Sequence, residues 1–380
     1  MNKVIKGYKI RIYPNKTQKL LIEKHLGSCR FIWNYMLNLQ NENYKIGNKY
    51  ISRFDMIRNL TPMKKQLEFE WLNEISTTSL QKICIDLDKA FKSFFNKKSK
   101  YPNFKSKKES SKSYLVCESR FYFKDSKHIQ IQKLGLVKCK TDFKIPIGKH
   151  KFSNVRLSKV FNKYFISFGL ECENQTPKLN DYSLGIDLGV KDLAVISYNN
   201  ESIVFHNINK SSKMKYLNKR VKHLQKSISR KYEQNKQDSK FIKTNNIMRD
   251  ELTLSRIKRK ISNIRNNYIH QITNKIVKLL PKRVVMEDLN ISGMMKNKHL
   301  SDSIQQQNFY KFILYMKYKC EWNNIEFIQV DRFYPSSKKC SCCGNIKTDL
   351  KLKDRVYRCN CGLVINRDLN AAINLANYSV

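Results

Sequence analysis

The chain is short of acid. Its 380 residues carry 31 Asp and Glu against 74 Lys and Arg, a formal net charge of +43. Positive charge at that density repels itself unless a polyanion neutralises it, which excludes a protein that works without one. Long hydrophobic runs are missing as well: no stretch approaches the 18 apolar residues of a membrane span. The opening MNKVIKGYKIRIYP has no continuous apolar segment, so export is not expected and the cytoplasm is the expected location. What is present fits a folded protein, with 41% hydrophobic and 11% aromatic residues, enough to build real cores. The length suggests roughly two and a half domains. Eleven Cys in a chain that is not exported argue for thiols or metal rather than a disulfide framework.

Apolar spacing divides the chain. Val4, Lys6, Tyr8, Ile10 and Ile12 lie on one face of an alternating segment over Lys3–Tyr13, a strand that Pro14-Asn15 ends. From Thr17 to about Phe95 the spacing becomes helical, and 96–113 is a Lys- and Ser-rich loop around Pro102. Short alternating runs over 114–172 predict a small barrel or sandwich that the first strand joins, making the helical region an insertion. After a polar linker, strands are expected at 183–188, 193–197, 203–205, 284–286 and 325–330. Apolar stripes from Met214 to Ile228 and from Ile257 to Ile276 predict a basic helical hairpin within 207–280. A helix through 309–322 and a closing helix from Arg367 complete a mixed sheet with helices on its faces.

Two groups of residues carry chemistry. Cys340-Ser-Cys342-Cys343-Gly, then fourteen residues, then Cys359-Asn-Cys361-Gly has the spacing of a structural Zn²⁺ ribbon. Cys340, Cys343, Cys359 and Cys361 are the expected ligands of one ion and Cys342 the spare, although the second pair is C-x-C rather than C-x₂-C. Gly344 and Gly362 follow the pairs, where a knuckle needs φ > 0. The other six Cys sit in apolar settings and read as core. The second group is acidic: Asp187 lies inside the apolar strand LGIDLG, Glu287 follows Val284-Val285-Met286, and Asp368 begins the last helix. A carboxylate buried in a strand costs several kcal/mol unless a cation or hydrogen bonds offset it. The glycines beside Asp187 leave room for a ligand or a second backbone to approach. Each acid alone has an ordinary explanation as a cap or a helix-terminal charge. Together, three acids from two strands and a helix can hold two Mg²⁺ ions about 3.5–4 Å apart for phosphodiester hydrolysis. Asp288 and Asp331 compete for this role, but Asp288 should point away from Glu287, and Asp331 reads as a turn cap before Pro335.

The motifs GIDLGVKDLAV, VVMEDLNISGM, VDRFYPSSKKCSCCG and NRDLNAAINL, in this order, resemble TnpB, the insertion-sequence-encoded, RNA-guided nucleases similar to the ancestor of type V CRISPR effectors. The opening YKIRIYPNKTQ and the segment YPNFK extend the likeness over nearly the whole chain. The resemblance implies an RNase H-like (RuvC) nuclease domain over 181–335 and 363–380, with catalytic acids at Asp187, Glu287 and Asp368. It implies a zinc-bearing, target-nucleic-acid-binding insert at 336–362. An oligonucleotide-binding-type β-barrel (wedge), 1–14 and 114–175, would carry the helical recognition insert and basic linker, 15–113. The implied partners are a noncoding guide RNA from the element's end and target double-stranded DNA, cut next to a short element-adjacent motif with Mg²⁺. One departure stands out: Asn366 occupies the first position of the family's Asp-Arg-Asp.

Basic and aromatic residues interleave in the helical insert, where Lys16, Lys19 and Arg30 accompany Trp33, Tyr35 and Tyr44, a pattern that can track and stack on nucleic acid. The loop with Tyr101, Lys105, Lys107 and Lys108 is the better phosphate contact, being too irregular for core. No helix-turn-helix reader is evident, and none is needed if RNA pairing chooses the target. Three rival readings remain: a guide-RNA-dependent repressor without cleavage, which should have lost one of the acids; a metal-dependent transposase, disfavoured by the ribbon just before the last acid; and a zinc-containing RNA-binding protein, disfavoured by the setting of Asp187.

Overall fold

The computed structural model describes residues 3–107, 112–141, 146–148, 150–174, 176–237, 240–351 and 354–378. They fall into two compact units divided between Glu173 and Asn174.

In the first unit the alternating opening is strand β1 (Lys3–Tyr13), followed by helices α1 (Lys16–Lys45), α2 (Arg53–Met63) and α3 (Thr77–Phe95), with a short 3₁₀ segment Leu67–Glu74 before α3. Pro14 stops the strand and Asn15 starts the helix. The Asn15 side chain accepts from Gln18 N at 2.8 Å while Asn15 N donates to Gln18 Oε1 at 3.0 Å, a reciprocal capping box. The amide of Gln18 then donates to Leu134 O and Leu136 O, tying the helix start to the sheet. The motif Y-P-N-K-T-Q is therefore a strand stop, a helix cap and an anchor in six residues. Strands β2 (Ser113–Leu115), β3 (Tyr122–Phe123), β4 (His128–Ile131), β5 (Gly135–Lys140), β6 (Phe152–Val160) and β7 (Lys163–Glu173) follow. β1 pairs antiparallel with both β5 and β7, in a seven-stranded sheet ordered β2-β6-β7-β1-β5-β4-β3. The helices are thus an insertion between two strands of one sheet, as expected. The sheet order has two ends, β2 and β3, and among the described residues no ladder joins them.

The second unit opens with β8 (Asn180–Leu188), β9 (Asp192–Tyr198) and β10 (Glu201–His206), followed by α4 (Ser212–Gln234), the small strands β11 (Lys236–Gln237) and β12 (Lys240–Phe241), and α5 (Asn245–Lys278). Then come β13 (Pro281–Glu287), α6 (Ile291–Met294), α7 (Ser301–Gln307), α8 (Phe309–Trp322), β14 (Glu326–Val330), β15 (Val356–Arg358), β16 (Val364–Asn366) and α9 (Arg367–Ala376). The main sheet is ordered β10-β9-β8-β13-β14: a three-stranded antiparallel meander to which β13 and β14 add in parallel. Parallel neighbours need long crossovers, and α4–α5 and α6–α8 supply them. The hairpin packs through Met214, Leu217, Ile257 and Ile261, on the stripes its periodicity predicts. No helix among the described residues is long and apolar enough to cross a membrane.

Among the described residues, the buried Lys319 is a charge held by neutral partners. Lys319 on α8 is 5% exposed, and its Nζ donates to His270 O at 2.9 Å and Thr273 Oγ1 at 2.6 Å on α5. Burial pushes its pKa down to about 8, against ~10.4 for an unfolded lysine. Folding therefore releases a proton between these values, so stability should rise with pH across that window. Lys319→Met, which keeps the packing and removes the titration, should be more stable than the parent at pH 7. Thermal unfolding should show the gap closing by on the order of 2 kcal/mol toward pH 10.

Candidate active site

The three acids are brought to one end of the sheet by how strands and helix are registered. β8 runs parallel to β13 with Ile186 opposite Met286, and the next residues are Asp187 and Glu287. Residues two apart on a strand share a face, so Asp187 lies on the face of Gly185 and Glu287 on that of Val285. That face carries α9. A Cβ on Gly185 would stand 2.1 Å from Ala372 O and 2.4 Å from Ala376 N, so only glycine lets the helix backbone lie on this strand. Val285, Val330 and Leu375 pack together beside it. With α9 seated, Asp368 in its first turn comes within electrostatic reach of Asp187.

Electrostatics report the same convergence. The Asp187 carboxyl is pushed well above the usual carboxylate range, first by burial and then by the charges of Glu287 and Asp368; Arg367 opposes this. Glu287 is raised by burial, while the Ser336 hydroxyl, which donates to Glu287 Oε1, and Arg367 pull it down. Arg367 Nε lies 3.6 Å from Asp368 Oδ1. Asn366 is the N-cap of α9, its Oδ1 accepting from Asp368 N at 2.9 Å and Leu369 N at 3.2 Å. The departure from Asp-Arg-Asp thus keeps a side chain that caps the helix, since Asn and Asp cap about equally well. Asp288 instead pairs with Arg332 at 2.9 Å, and Asp331 Oδ1 accepts from Phe333 N at 2.8 Å, so neither competitor faces the cluster.

The cysteine segment is joined to this centre by hydrogen bonds. Asn370 and Asn374, one turn apart on α9 and buried, both donate to Lys339 O at 2.7 Å, and Asn374 also donates to Ser336 O. Ser341 N donates back to Asn370 Oδ1 at 3.0 Å. A single clamp therefore fixes α9, the first knuckle and the serine that touches Glu287. Sequence reasoning missed Ser336, Asn370 and Asn374; the available signal was two Asn at i, i+4 on the apolar face of a short helix. Within the ribbon, Cys340 and Cys361 sulfurs stand 3.7 Å apart and those of Cys343 and Cys359 3.5 Å. Four sulfurs on ~2.3 Å bonds around a tetrahedral ion would be about 3.8 Å apart, so the quartet fits zinc. Gly344 and Gly362 adopt φ of +78° and +91°, as the knuckles require. All four donor atoms lie within 4.8 Å of one another and Cys342 is outside the group. The three carboxylates form no group that tight among the described residues; charge is what couples them. Of the other Cys, four are buried, whereas Cys117 and Cys172 are half-buried.

The residues expected to touch nucleic acid are all in the first unit and differ in setting. Lys16, Lys19 and Lys107 are exposed, Arg30 and Lys105 half-buried, and Lys108 lies outside the described residues. The loop expected to be free of core packing is partly packed: Pro102 is buried, and the Tyr101 ring meets Phe91 and Phe94 edge-on at 5.4 and 5.2 Å. Trp33, expected to be a stacking candidate, is buried, with its indole N–H bonded to Asn103 O; Tyr44 is 83% exposed.

A five-stranded mixed sheet with acids on its central strands and on the closing helix defines an RNase H-like unit. A solved structure titled "Cryo-EM structure of the Cas12f1-sgRNA-target DNA complex" has the same fold, with a TM-score of 0.58 over 99% of each chain at 12% identity. The OrfB_IS605 model, described as "Probable transposase", matches residues 167–298, and a "Cas12f1-like, TNB domain" model matches 309–375. A model described as "Helix-turn-helix domain" matches 1–49, where the structure has the strand β1 and the single helix α1. "Putative RNA-guided DNA endonuclease InsQ" of Escherichia coli K12 is 30% identical over 98% of this chain and 92% of its own length. A "Putative RNA-guided DNA endonuclease" of Streptomyces pristinaespiralis is 27% identical over 99% of this chain and 89% of its own. The chain belongs to the TnpB family of insertion-sequence proteins.

Gly185→Ala should lift α9 from the sheet and cost roughly 2–3 kcal/mol, as overpacking does; chemical denaturation measures it, and loss of activity should accompany it. Cys340→Ser should release zinc, detected by metal analysis of the purified chain, and lower the melting temperature.

Proposed function

We propose that this protein is an RNA-guided DNA endonuclease whose reaction is Mg²⁺-dependent hydrolysis of target DNA beside a short element-adjacent motif. The observation that carries the proposal is the convergence of Asp187, Glu287 and Asp368, strong enough that two of them raise the pKa of the third. Family membership and the names of the relatives support the RNA-guided reading, and the +43 charge supports nucleic-acid partners.

Such a cluster of hard oxygen donors suits Mg²⁺. Carboxylates coupled by charge but not gathered as tightly as the four sulfurs suit a pair of ions rather than one. Asp187, Glu287 and Asp368 would hold them; bound there, Mg²⁺ activates the attacking water and offsets charge on the leaving oxygen. The rest is the work of the chain. Ser336 holds one oxygen of Glu287 by donating to it, which leaves the other free to take a cation. Asn366 fixes the first turn of α9 and with it Asp368. Arg367 offsets part of the acids' mutual repulsion. Cys340, Cys343, Cys359 and Cys361 would hold one Zn²⁺ that stiffens the ribbon, and the clamp from Asn370 and Asn374 passes that rigidity to Ser336. The guide is a noncoding RNA from the end of the element, and Lys16, Lys19, Arg30, Tyr101, Lys105, Lys107 and Lys108 are the proposed contacts of the first unit.

A repressor that binds the guide but does not cut would have no need of a self-repelling acid cluster, which favours the enzyme. With the RNA that co-purifies from cells carrying the native locus, Asp187→Asn should lose at least 100-fold in cleavage of matched DNA, the low end of what removing one electrostatic group costs. RNA and DNA affinities should change less than about threefold, within ~0.6 kcal/mol. Retained cleavage removes Asp187 from the site. In EDTA the same variant should also melt above wild type, because a buried repulsion is gone. RNA affinity should fall steeply with salt, since many phosphates are neutralised.

A further inference from the structure

The first unit contains a small, walled pocket whose charges do not balance. It has a volume of about 50 Å³ and is lined by Arg30, Lys105, Lys112, Arg156, Asp86 and Cys29 among others. A single buried water needs ~10–15 Å³, so the space suits a group larger than one water. Four cations face one carboxylate. Arg156 reaches that carboxylate, Asp86, at 3.4 Å and Ser113 Oγ at 3.2 Å, both long contacts. Cys29 adds no second negative charge: burial pushes its thiol up to about 12, so it stays neutral.

The pocket is built rather than incidental. Lys105 brings to its wall the segment expected from sequence to touch phosphate, and that segment is pinned to α1 by three hydrogen bonds. Trp33 Nε1 donates to Asn103 O at 3.0 Å, and Asn34 both donates to Lys105 O at 3.0 Å and accepts from Lys105 N at 2.7 Å. The Lys105 ammonium sits 3.3 Å from the centre of the Trp33 ring, on its face. Burial lowers its pKa to about 8, with Arg156 adding to the effect and Asp86 opposing it. A lysine held half out of water beside two arginines is costly to fold, and the cost is recovered when an anion enters.

We propose that this pocket is a binding site for a single nucleic-acid backbone phosphate, with Arg30, Lys105 and Arg156 as its donors. Arg30 and Arg156 bring forked guanidinium donors, and Lys105 a point charge fixed over an indole. One buried phosphate in such a cage sets the register of a strand in a way that exposed lysines cannot. The inference rests on the proposed function for the identity of the polymer, but the pocket's need for an anion does not.

The test uses the full chain in two arms. In the first, inorganic phosphate is titrated against wild type, Lys105→Gln and Arg30→Gln, with chloride at equal ionic strength as reference, and thermal unfolding is followed. Wild type should gain melting temperature with phosphate beyond the chloride reference, and both folded variants should lose most of that gain. In the second, affinity for a short RNA hairpin and for a short DNA duplex is measured against salt. Removing one phosphate contact should reduce the slope of log affinity against log salt by about 1, for the polymer whose phosphate fills the pocket and not for the other. No phosphate-specific stabilisation together with unchanged slopes for both polymers overturns the site. Stabilisation by phosphate with both slopes unchanged overturns the nucleic-acid assignment. If wild type binds neither polymer, the proposed function fails, and the first arm still decides whether the pocket takes an anion.

Discussion

Burial of the Asp187 carboxyl beside the charges of Glu287 and Asp368 is the constraint on which the rest of the second unit depends. Water would separate Asp187, Glu287 and Asp368; the fold holds them together and shields Asp187, at the cost recorded in its raised pKa. Such an arrangement persists only if the surrounding structure is stiff enough to impose it. Two parallel strands fix the first two acids one register step beyond Ile186 and Met286. The third is fixed by a helix laid so close to β8 that no side chain fits at Gly185.

That helix is short, and it is held at both faces. Toward the sheet it packs through Leu375 against Val285 and Val330. Toward the cysteine ribbon it offers Asn370 and Asn374, whose amides end on the backbone of Ser336 and Lys339. The ribbon is thus mechanically continuous with the acid cluster: a sulfur ligand at Cys340, a carbonyl at Lys339 and the hydroxyl on Glu287 lie within five residues of one another. A zinc ion there would do more than fold a small insert. It would hold the partner that orients Glu287.

Much of this is legible in the order of the residues alone. Alternation identifies β1, and 3,4 spacing identifies the hairpin of α4 and α5, because in each case one face is more buried than the other; β8 and β9 are legible instead as short apolar runs, since consecutive residues of both are buried. The knuckle glycines announce φ > 0, and the lone acid in LGIDLG announces a partner for its charge. Legibility fails where the reason for a residue is a contact distant in sequence. Ser336 looks like any serine in a turn until Glu287 is beside it. Trp33 and Tyr101 share a composition with stacking platforms, yet their rings are used for packing, and Lys105 is drawn over Trp33 rather than out to solvent. The glycines beside Asp187 signal a close approach, and at Gly185 the approaching group is the backbone of α9. Whether the first unit closes as a barrel or stays open as a sandwich is more than the pattern can specify. Short alternating runs define strands and neighbours, but whether the outer two pair depends on twist and length, which alternation does not carry.

Divalent-ion stoichiometry tests the central claim most directly. Equilibrium dialysis of Mn²⁺ against the full chain assembled with its co-purified RNA and a matched DNA would count the ions. Two tightly held Mn²⁺ per complex, both lost when Glu287 becomes Gln, is the result expected of an acid cluster assembled against its own repulsion to hold a cation pair. Binding that is absent, or that persists unchanged in Glu287→Gln, would contradict it.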